Sequence, residues 1–338
     1  MQTRPTAYRI LFPLAILAAV SLGLCACDRT EPAPKTNFPP LTMCIDLSPT
    51  NALTLIADAD GFFSAAGLDI TLKEYPSGKL ALGGLLAGEC DLTTSAEIPV
   101  MIASFAHDDL KILASLANSY NVNRVIARRD RGIRTLADLR GKRISTQRGS
   151  AVHFFLHLVL AKQGYGEEDI TLSFLPAVEL PQALAHGDID AFSMREPFIS
   201  EAQKLLGDNA VVFAEPGLYS SYQLLVGRGT TVTHHSEQLV ALLQALSRAK
   251  QFALHEPDAA KKTFARALAI EPARVDKLWP ELQLTVELSQ SMLHNLESAA
   301  AWIQAAHLVE AETPPNVLNL VWSVPLKLAS PDVMTIVE

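Results

Sequence analysis

The stretch of this chain best suited to hold a small anion is Gln147-Arg148-Gly149-Ser150-Ala151. It joins a strand-like run, Arg143 to Ser145, to a helix-periodic run beginning at Ala151. Glycine allows close backbone approach, Ser150 can cap the helix, and the unpaired first-turn amides at the positive end of the helix dipole favour negative charge. Capping alone would select the same serine. Three other loops leave strand-like runs in the same way. Ser48-Pro49-Thr50-Asn51 offers hydroxyls and helix-terminal amides, although the same residues suit a plain cap with proline in the first turn. Ser95-Ala96-Glu97 and Arg195-Glu196-Pro197 are the others. Arg195 could grip a carboxylate, sulfonate or phosphate through two parallel hydrogen bonds. Equally, it could pair with Glu97 or Glu196 and never meet a ligand. The candidate binding residues are therefore Ser48, Thr50, Asn51, Glu97, Gln147, Gly149, Ser150, Ala151, Arg195 and Glu196, with Asn121 (beside Ser119 and Tyr120) and Tyr222 as further polar or aromatic candidates.

Other chemistries are poorly supported. His153 and His157 stand at i, i+4, a spacing that can place two imidazoles on one metal, but no HExxH and no carboxylate between them accompanies the pair. There is no GxSxG, no Cys/His nucleophile pattern and no GxGxxG between a strand and a helix. No catalytic residue, metal or cofactor is expected. Cys44 and Cys90, both at strand starts, could form one disulfide or remain two thiols.

The N-terminus addresses location. Arg4 and Arg9 precede a run from Ile10 to Leu24 that is apolar apart from Ser21, and Leu24-Cys25-Ala26-Cys27 closes it. The run is short for a membrane span, and small Ala26 before Cys27 suits cleavage there. The segment (residues 1–26) resembles bacterial lipoprotein signals, which implies a diacylglyceryl and acyl (palmitate-type) anchor on Cys27. An uncleaved signal anchor or an unlipidated signal are the plainer readings. Residues 27–40 carry Pro32, Pro34, Pro39 and Pro40 without apolar periodicity, as an extended stalk would. Asp28 resembles an inner-membrane retention signal. Cleavage would remove two arginines and take the formal charge from −8 to −10. Such a charge does not draw in nucleic acid or anionic membrane surfaces, leaving the lipid as the membrane contact.

Holding the strand-end loops in place requires alternating elements. Leu41–Leu47 reads as a strand, 51–65 as a helix, Leu68 to Leu72 as a strand, 80–86 as a helix and 91–94 as a strand. Helix 100–105 and strands 112–116 and 122–127 follow, then a polar break at residues 128–132. The series resumes with strand 143–145, helix 151–163, strand 170–174, helix 180–185 and strands 191–194 and 222–226. After a break at Gly227-Arg228-Gly229, the chain from Glu237 reads as almost wholly helical, punctuated by Pro257, Pro272 and Pro280. The fold class is α/β in two lobes, with a helical C-terminal part packed on one of them.

In order along the chain, "ADADGFFSAAGLDITLKEYPSG", "LLAGECDLTTSAEIPVMIA", "IRTLADLRGKRISTQRGSAVHFFLHLVLAKQG", "LAHGDIDAFSMREPFISEA" and "LHEPDAAKKTFARAL" resemble the nitrate/sulfonate/taurine/thiamine-precursor family of extracytoplasmic solute-binding proteins. The resemblance covers about residues 41 to 305 and implies a type II periplasmic-binding-protein fold. Two lobes joined by two crossovers would close on a small-molecule ligand and deliver it to an ABC permease with its ATPase. It implies crossovers near Ala127 and Gly227: lobe one from 41–127 plus 228–338, lobe two from 128–227. It implies a monomeric binding protein on the periplasmic face of the membrane, taking a sulfonate, nitrate, taurine or related anion whose acidic head meets the Gly149-Ser150-Ala151 turn. Many family members carry an aromatic residue where Arg195 stands. The rivals are an enzyme on the same fold, similar to pyrimidine-precursor synthases or menaquinone-pathway dehydratases, and a ligand-sensing receptor subunit.

Overall fold

Strand-helix alternation is realised as two separate sheets in the computed structural model, which describes residues 38–311 and 313–336. The signal-like segment, Cys27 and most of the proline-rich stretch lie outside the described residues. The strands are β1 (Leu41–Asp46), β2 (Ile70–Tyr75), β3 (Leu92–Ala96), β4 (Leu110–Ser119), β5 (Arg124–Arg128), β6 (Arg143–Thr146), β7 (Thr171–Phe174), β8 (Ala191–Met194), β9 (Ala210–Phe213), β10 (Ser221–Arg228) and β11 (Gln283–Glu287). The first sheet has the order β11-β4-β10-β3-β1-β2 and the second β7-β6-β8-β5-β9. Parallel pairing of β1 with β2 and β3 demands crossover helices that cover the sheet faces. That is why Met43, Cys44 and Ile45 are consecutive apolar residues and all fully buried.

The site depends on one topological fact. In the first sheet the carboxyl ends of β1, β2, β3 and β4 share an edge with the starts of the antiparallel strands β10 and β11, since Gln223 pairs with Ala96, Ser221 with Ser119 and Gln283 with Asn118. In the second sheet the ends of β6, β7 and β8 share an edge with the start of β5 and the end of β9. Helices α1 (Ala52–Ala59), α2 (Gly78–Leu86) and α3 (Glu97–Ser104) spring from the first edge, and α4 (Ala151–Lys162) and α5 (Phe198–Leu206) from the second.

Three expectations change. The crossovers run at 120–123 and 214–220, not near Ala127 and Gly227, because β5 is hydrogen-bonded into the second sheet and β10 into the first. The polar breaks lie inside a lobe: 128–132 is the end of β5 and the tight turn after it, and 227–229 is the end of β10 running directly into a short helix. The single helix over 51–65 is two, parted at Gly61, whose φ of +75° suits a residue without Cβ. The C-terminal part does contain the long helices α6 (Ser236–His255) and α7 (Gln290–Ala305), but it also supplies β11 as the outermost strand of the first sheet. Cys44 and Cys90 form a disulfide that clasps β1 to the loop entering β3, resolving the two readings of that pair.

The lobes meet through apolar contacts beside the cleft. His153 and Phe154 of α4 place their rings 4.9 and 5.0 Å from that of Trp302 on α7. Gly149 packs so closely on Ile102 of α3 that a Cβ there would lie 3.0 Å from Ile102 Cδ1.

Candidate functional site

The two strand-end edges face each other, and Arg195 is a cation between them without an ion-paired partner among the described residues. It leaves the end of β8, half-buried, and among the described residues its guanidinium makes no hydrogen bond and no ion pair within 4 Å. Burial pulls its pKa below the ordinary value, opposed by the charges of Asp46 and Glu97 on the first lobe. Neither predicted carboxylate partner is in contact with it. Glu196 is exposed, and its Oε2 instead accepts the Ser200 amide at 3.2 Å at the start of α5.

Glu97 opens α3 and is 0 % exposed. Its Oε2 accepts the Tyr222 amide at 2.9 Å, while Oε1 is buried without a partner. Desolvation pushes its pKa up to about 7, against the pull of hydrogen bonds from its own and the Tyr222 backbone and of the Arg195 charge. Beside it Ser95 Oγ is also buried and unpartnered. Tyr222 thus serves the site with its backbone; its hydroxyl bonds Ser291 at 3.3 Å.

The first loop forms a chain of side-chain bonds. Ser48 Oγ lies 2.9 Å from Thr50 Oγ1, which donates to Gln223 Oε1 at 3.1 Å, and Gln223 Nε2 donates to Asn51 Oδ1 at 3.2 Å. Asn51 Nδ2 then donates to both the carbonyl and Oδ1 of Asp46, each at 2.8 Å. Asn51 is fully buried and spends both its N–H donors on Asp46, so it aims Asp46 and has no donor left for an anion. Burial raises the Asp46 pKa, with Ser48, Arg195 and Asn51 opposing. Sequence reasoning missed Asp46 and Gln223. An acid ending an otherwise buried strand was the available signal for Asp46; Gln223 gave none, being one polar residue in a strand.

On the second lobe, Gln147 to Ala151 follows β6, whose neighbour is β8, so the turn lies beside Arg195. Ser150 is a cap in the strict sense. Its Oγ donates to the Gln147 carbonyl at 2.6 Å and accepts from the His153 amide at 3.4 Å. Gly149, at φ +64°, donates its N–H to His153 Nδ1 at 3.2 Å. The donors left for an anion are the first-turn amides beginning at Ser150 and Ala151, which have no intrahelical acceptor. Ser150→Ala is accordingly expected to cost about 1 kcal/mol of stability, seen in urea melts, with a smaller loss of affinity. A large affinity loss at unchanged stability would make the hydroxyl a ligand contact. Asn121, in the first crossover, has a buried Oδ1 without a partner, and its carbonyl accepts from Arg124, which also reaches Glu281 of the first lobe at 3.3 Å.

Apolar groups rim the polar floor. Leu47 and Leu80 on the first lobe are 44 % and 52 % exposed, and Phe174 and Val178 on the second 39 % and 70 %. A cavity of about 410 Å³ lies at the ends of β1 and β2, lined by Asp46, Leu47, Glu74, Tyr75 and Pro76. A larger hollow of about 590 Å³, between Asp258 and Asp276, gathers none of the strand-end residues.

Two α/β sheets with facing strand-end edges and two chain crossovers define the periplasmic-binding-protein class of fold, and solved structures of that class superpose on this chain. The periplasmic aliphatic sulphonate binding protein SsuA of Escherichia coli does so with a TM-score of 0.72 at 18 % identity, over 85 % of this chain and 93 % of that one. The alkanesulfonate-binding protein SsuA of Xanthomonas axonopodis pv. citri, bound to MOPS, gives 0.68 at 25 % identity over 87 % and 99 %. Residues 48–260 match the family model described as NMT1/THI5 like, and the chain belongs to that family. A curated relative from Bacillus subtilis (strain 168), described as an aliphatic sulfonates-binding protein, is 27 % identical over 200 residues. That alignment spans 58 % of this chain and 60 % of the relative, so less than two thirds of the relative's length is matched.

Proposed function

We propose that this protein is the solute-binding component of an ABC importer and that it captures an organic sulfonate between its lobes. The observation that carries the reading is Arg195, an arginine with no hydrogen-bonded or ion-paired partner among the described residues, beside the open amides of the α4 N-terminus. A sulfonate presents three acceptor oxygens, enough for a two-bond guanidinium contact and one or two helix amides. The apolar rim favours a carbon-bearing anion over nitrate, because an alkyl or aryl tail would cover Leu47, Leu80, Phe174 and Val178 at roughly 25 cal/mol per Å² buried. The relatives' sulfonate-binding descriptions support the same choice. The protein acts by binding alone, as a monomer, and its closed form is what the permease with its ATPase would recognise.

A panel of alkanesulfonates of rising chain length, taurine, nitrate and sulfate, followed by thermal shift and calorimetry, tests this. Alkanesulfonates should raise the midpoint most, since a ligand bound only by the native state stabilises it. A response to nitrate that exceeds every sulfonate would sink the reading. Recovery of the bound sulfonate unchanged, by mass spectrometry, separates a binding protein from an enzyme on the same fold.

Localisation follows from the sequence alone. Acylation of Cys27 would hold the protein on the extracytoplasmic face of the cell membrane, several chains giving a firm anchor where one is marginal. Cys27→Ser is expected to move it from the membrane fraction to the soluble or unprocessed pool with folding intact. An unmodified Cys27 on the membrane-bound protein would contradict the anchor.

A further inference from the structure

We infer that His153 is the positioning residue of the anion-binding turn: its imidazole ties the Gly149 amide to Glu167 and so holds the turn in its ligand-ready form. The inference rests on the anion-binding reading of residues 147–151. His153 is 1 % exposed and stands in the first turn of α4. Its Nδ1 accepts the Gly149 N–H at 3.2 Å, which requires that nitrogen to be unprotonated and puts the ring proton on Nε2. Nε2 faces Glu167, with the carboxylate oxygens at 3.3 Å. Burial raises the Glu167 pKa, but the net shift is downward, led by the hydrogen bond from His153, so Glu167 is an ionised acceptor. The ring is fixed edge-on between Phe174, at 5.0 Å, and Trp302 of the first lobe, at 4.9 Å.

The geometry at Gly149 gives the tie its purpose. A positive-φ glycine is conformationally free, and this one packs on Ile102 across the lobe boundary. Unless its amide is fixed, the turn could rotate and carry the Ser150 and Ala151 amides away from the anion. Because the backbone N–H of His153 also bonds Ser150 Oγ, one residue fixes the turn at two points. Pre-ordering of this kind raises affinity by lowering the cost of ordering the loop on binding.

Asparagine and glutamine separate the two ends of the imidazole. His153→Asn keeps an acceptor near the Nδ1 position and loses the reach to Glu167; His153→Gln keeps a donor near Nε2 and loses the acceptor for Gly149. With pentanesulfonate as probe and the full chain, the Asn variant should bind within about threefold of wild type and the Gln variant about tenfold more weakly, a difference of about 1.4 kcal/mol. Amide hydrogen exchange without any ligand should show Gly149 protected in wild type and the Asn variant and exposed in the Gln variant. Equal affinity and equal exchange in the two variants would overturn the inference, since a purely structural histidine would be damaged alike by both. If wild type binds no sulfonate, the substrate reading falls by itself, and exchange at Gly149 still decides the tie. Should the Gln variant not fold, Glu167→Gln removes the carboxylate that fixes the tautomer. Faster exchange at Gly149 then supports the inference, and unchanged exchange overturns it.

Discussion

Urea melts of Glu97→Gln are expected to show a variant within about 1 kcal/mol of wild type at pH 5 and about 3 kcal/mol more stable at pH 8. The glutamate pKa is ordinarily 4.5 and stands at about 7 in the folded protein. Between those values the native state holds a proton that the unfolded chain has released. Stability from this group is therefore greatest below pH 4.5, falls as pH rises through 7 and is flat above, the total being about 1.4 kcal/mol for each pH unit that separates the two values. Glutamine copies the protonated acid: its oxygen can still accept the Tyr222 amide, and its NH2 takes the place of the unpartnered Oε1. Binding should follow the same proton. A protonated Glu97 removes a negative charge facing Arg195, so sulfonate affinity in wild type should decline from pH 6 to pH 8 and stay level in the variant. The difference between the two proteins is the readout, because every other ionisable group is common to both. Parallel curves for wild type and Glu97→Gln would mean that Glu97 is already charged at pH 5 and that burial is not governing it.

Arg195→Ala is expected to weaken sulfonate binding by about 1.5 to 3 kcal/mol, typical of a charge-assisted hydrogen bond, with little change in stability at pH 6. Folding should tolerate the loss because the guanidinium has no hydrogen-bonded or ion-paired partner among the described residues to strand. Removal of a positive neighbour should also push the Glu97 pKa higher still, making the variant's stability steeper with pH. Calorimetry with pentanesulfonate and melts at two pH values measure both effects. Unchanged affinity together with a loss of several kcal/mol would assign Arg195 to holding the buried carboxylates instead.

Local patterns carry the α/β class and the strand-end loops, since apolar runs and helix periodicity are written within a few residues of each loop. The parts that the sequence hides depend on distant pairing. β9 (Ala210–Phe213) is a half-buried edge strand of four residues, and β11 (Gln283–Glu287) alternates polar and apolar residues as a strand should, but sits among helices. Glycine- and arginine-rich breaks suggest crossovers, yet such breaks mark any turn; only the partners of β5 and β10 reveal which sheet owns them. At the site, Gln147 to Ala151 and Arg195 are legible as chemistry. That Asn51 has no donor left for an anion and that Tyr222 acts through its backbone depends on the folded geometry around them, part of it from residues remote in sequence.

The place of β10 constrains how the molecule is made. β3 and β4 are consecutive in the chain, but β10 lies between them in the sheet, so the two cannot be joined in one sheet until residue 228 has been synthesised. The second lobe is one uninterrupted segment and has all its strands by Phe213. A chain crossing a membrane from its N-terminus therefore delivers the β1–β3 half-lobe early and leaves it waiting, its sheet open on the side of β3. The Cys44–Cys90 bond lies wholly within that early piece. It can close in an oxidising compartment before the rest arrives, holding the waiting strands together while the later lobe forms and the central strand returns to join β3 to β4.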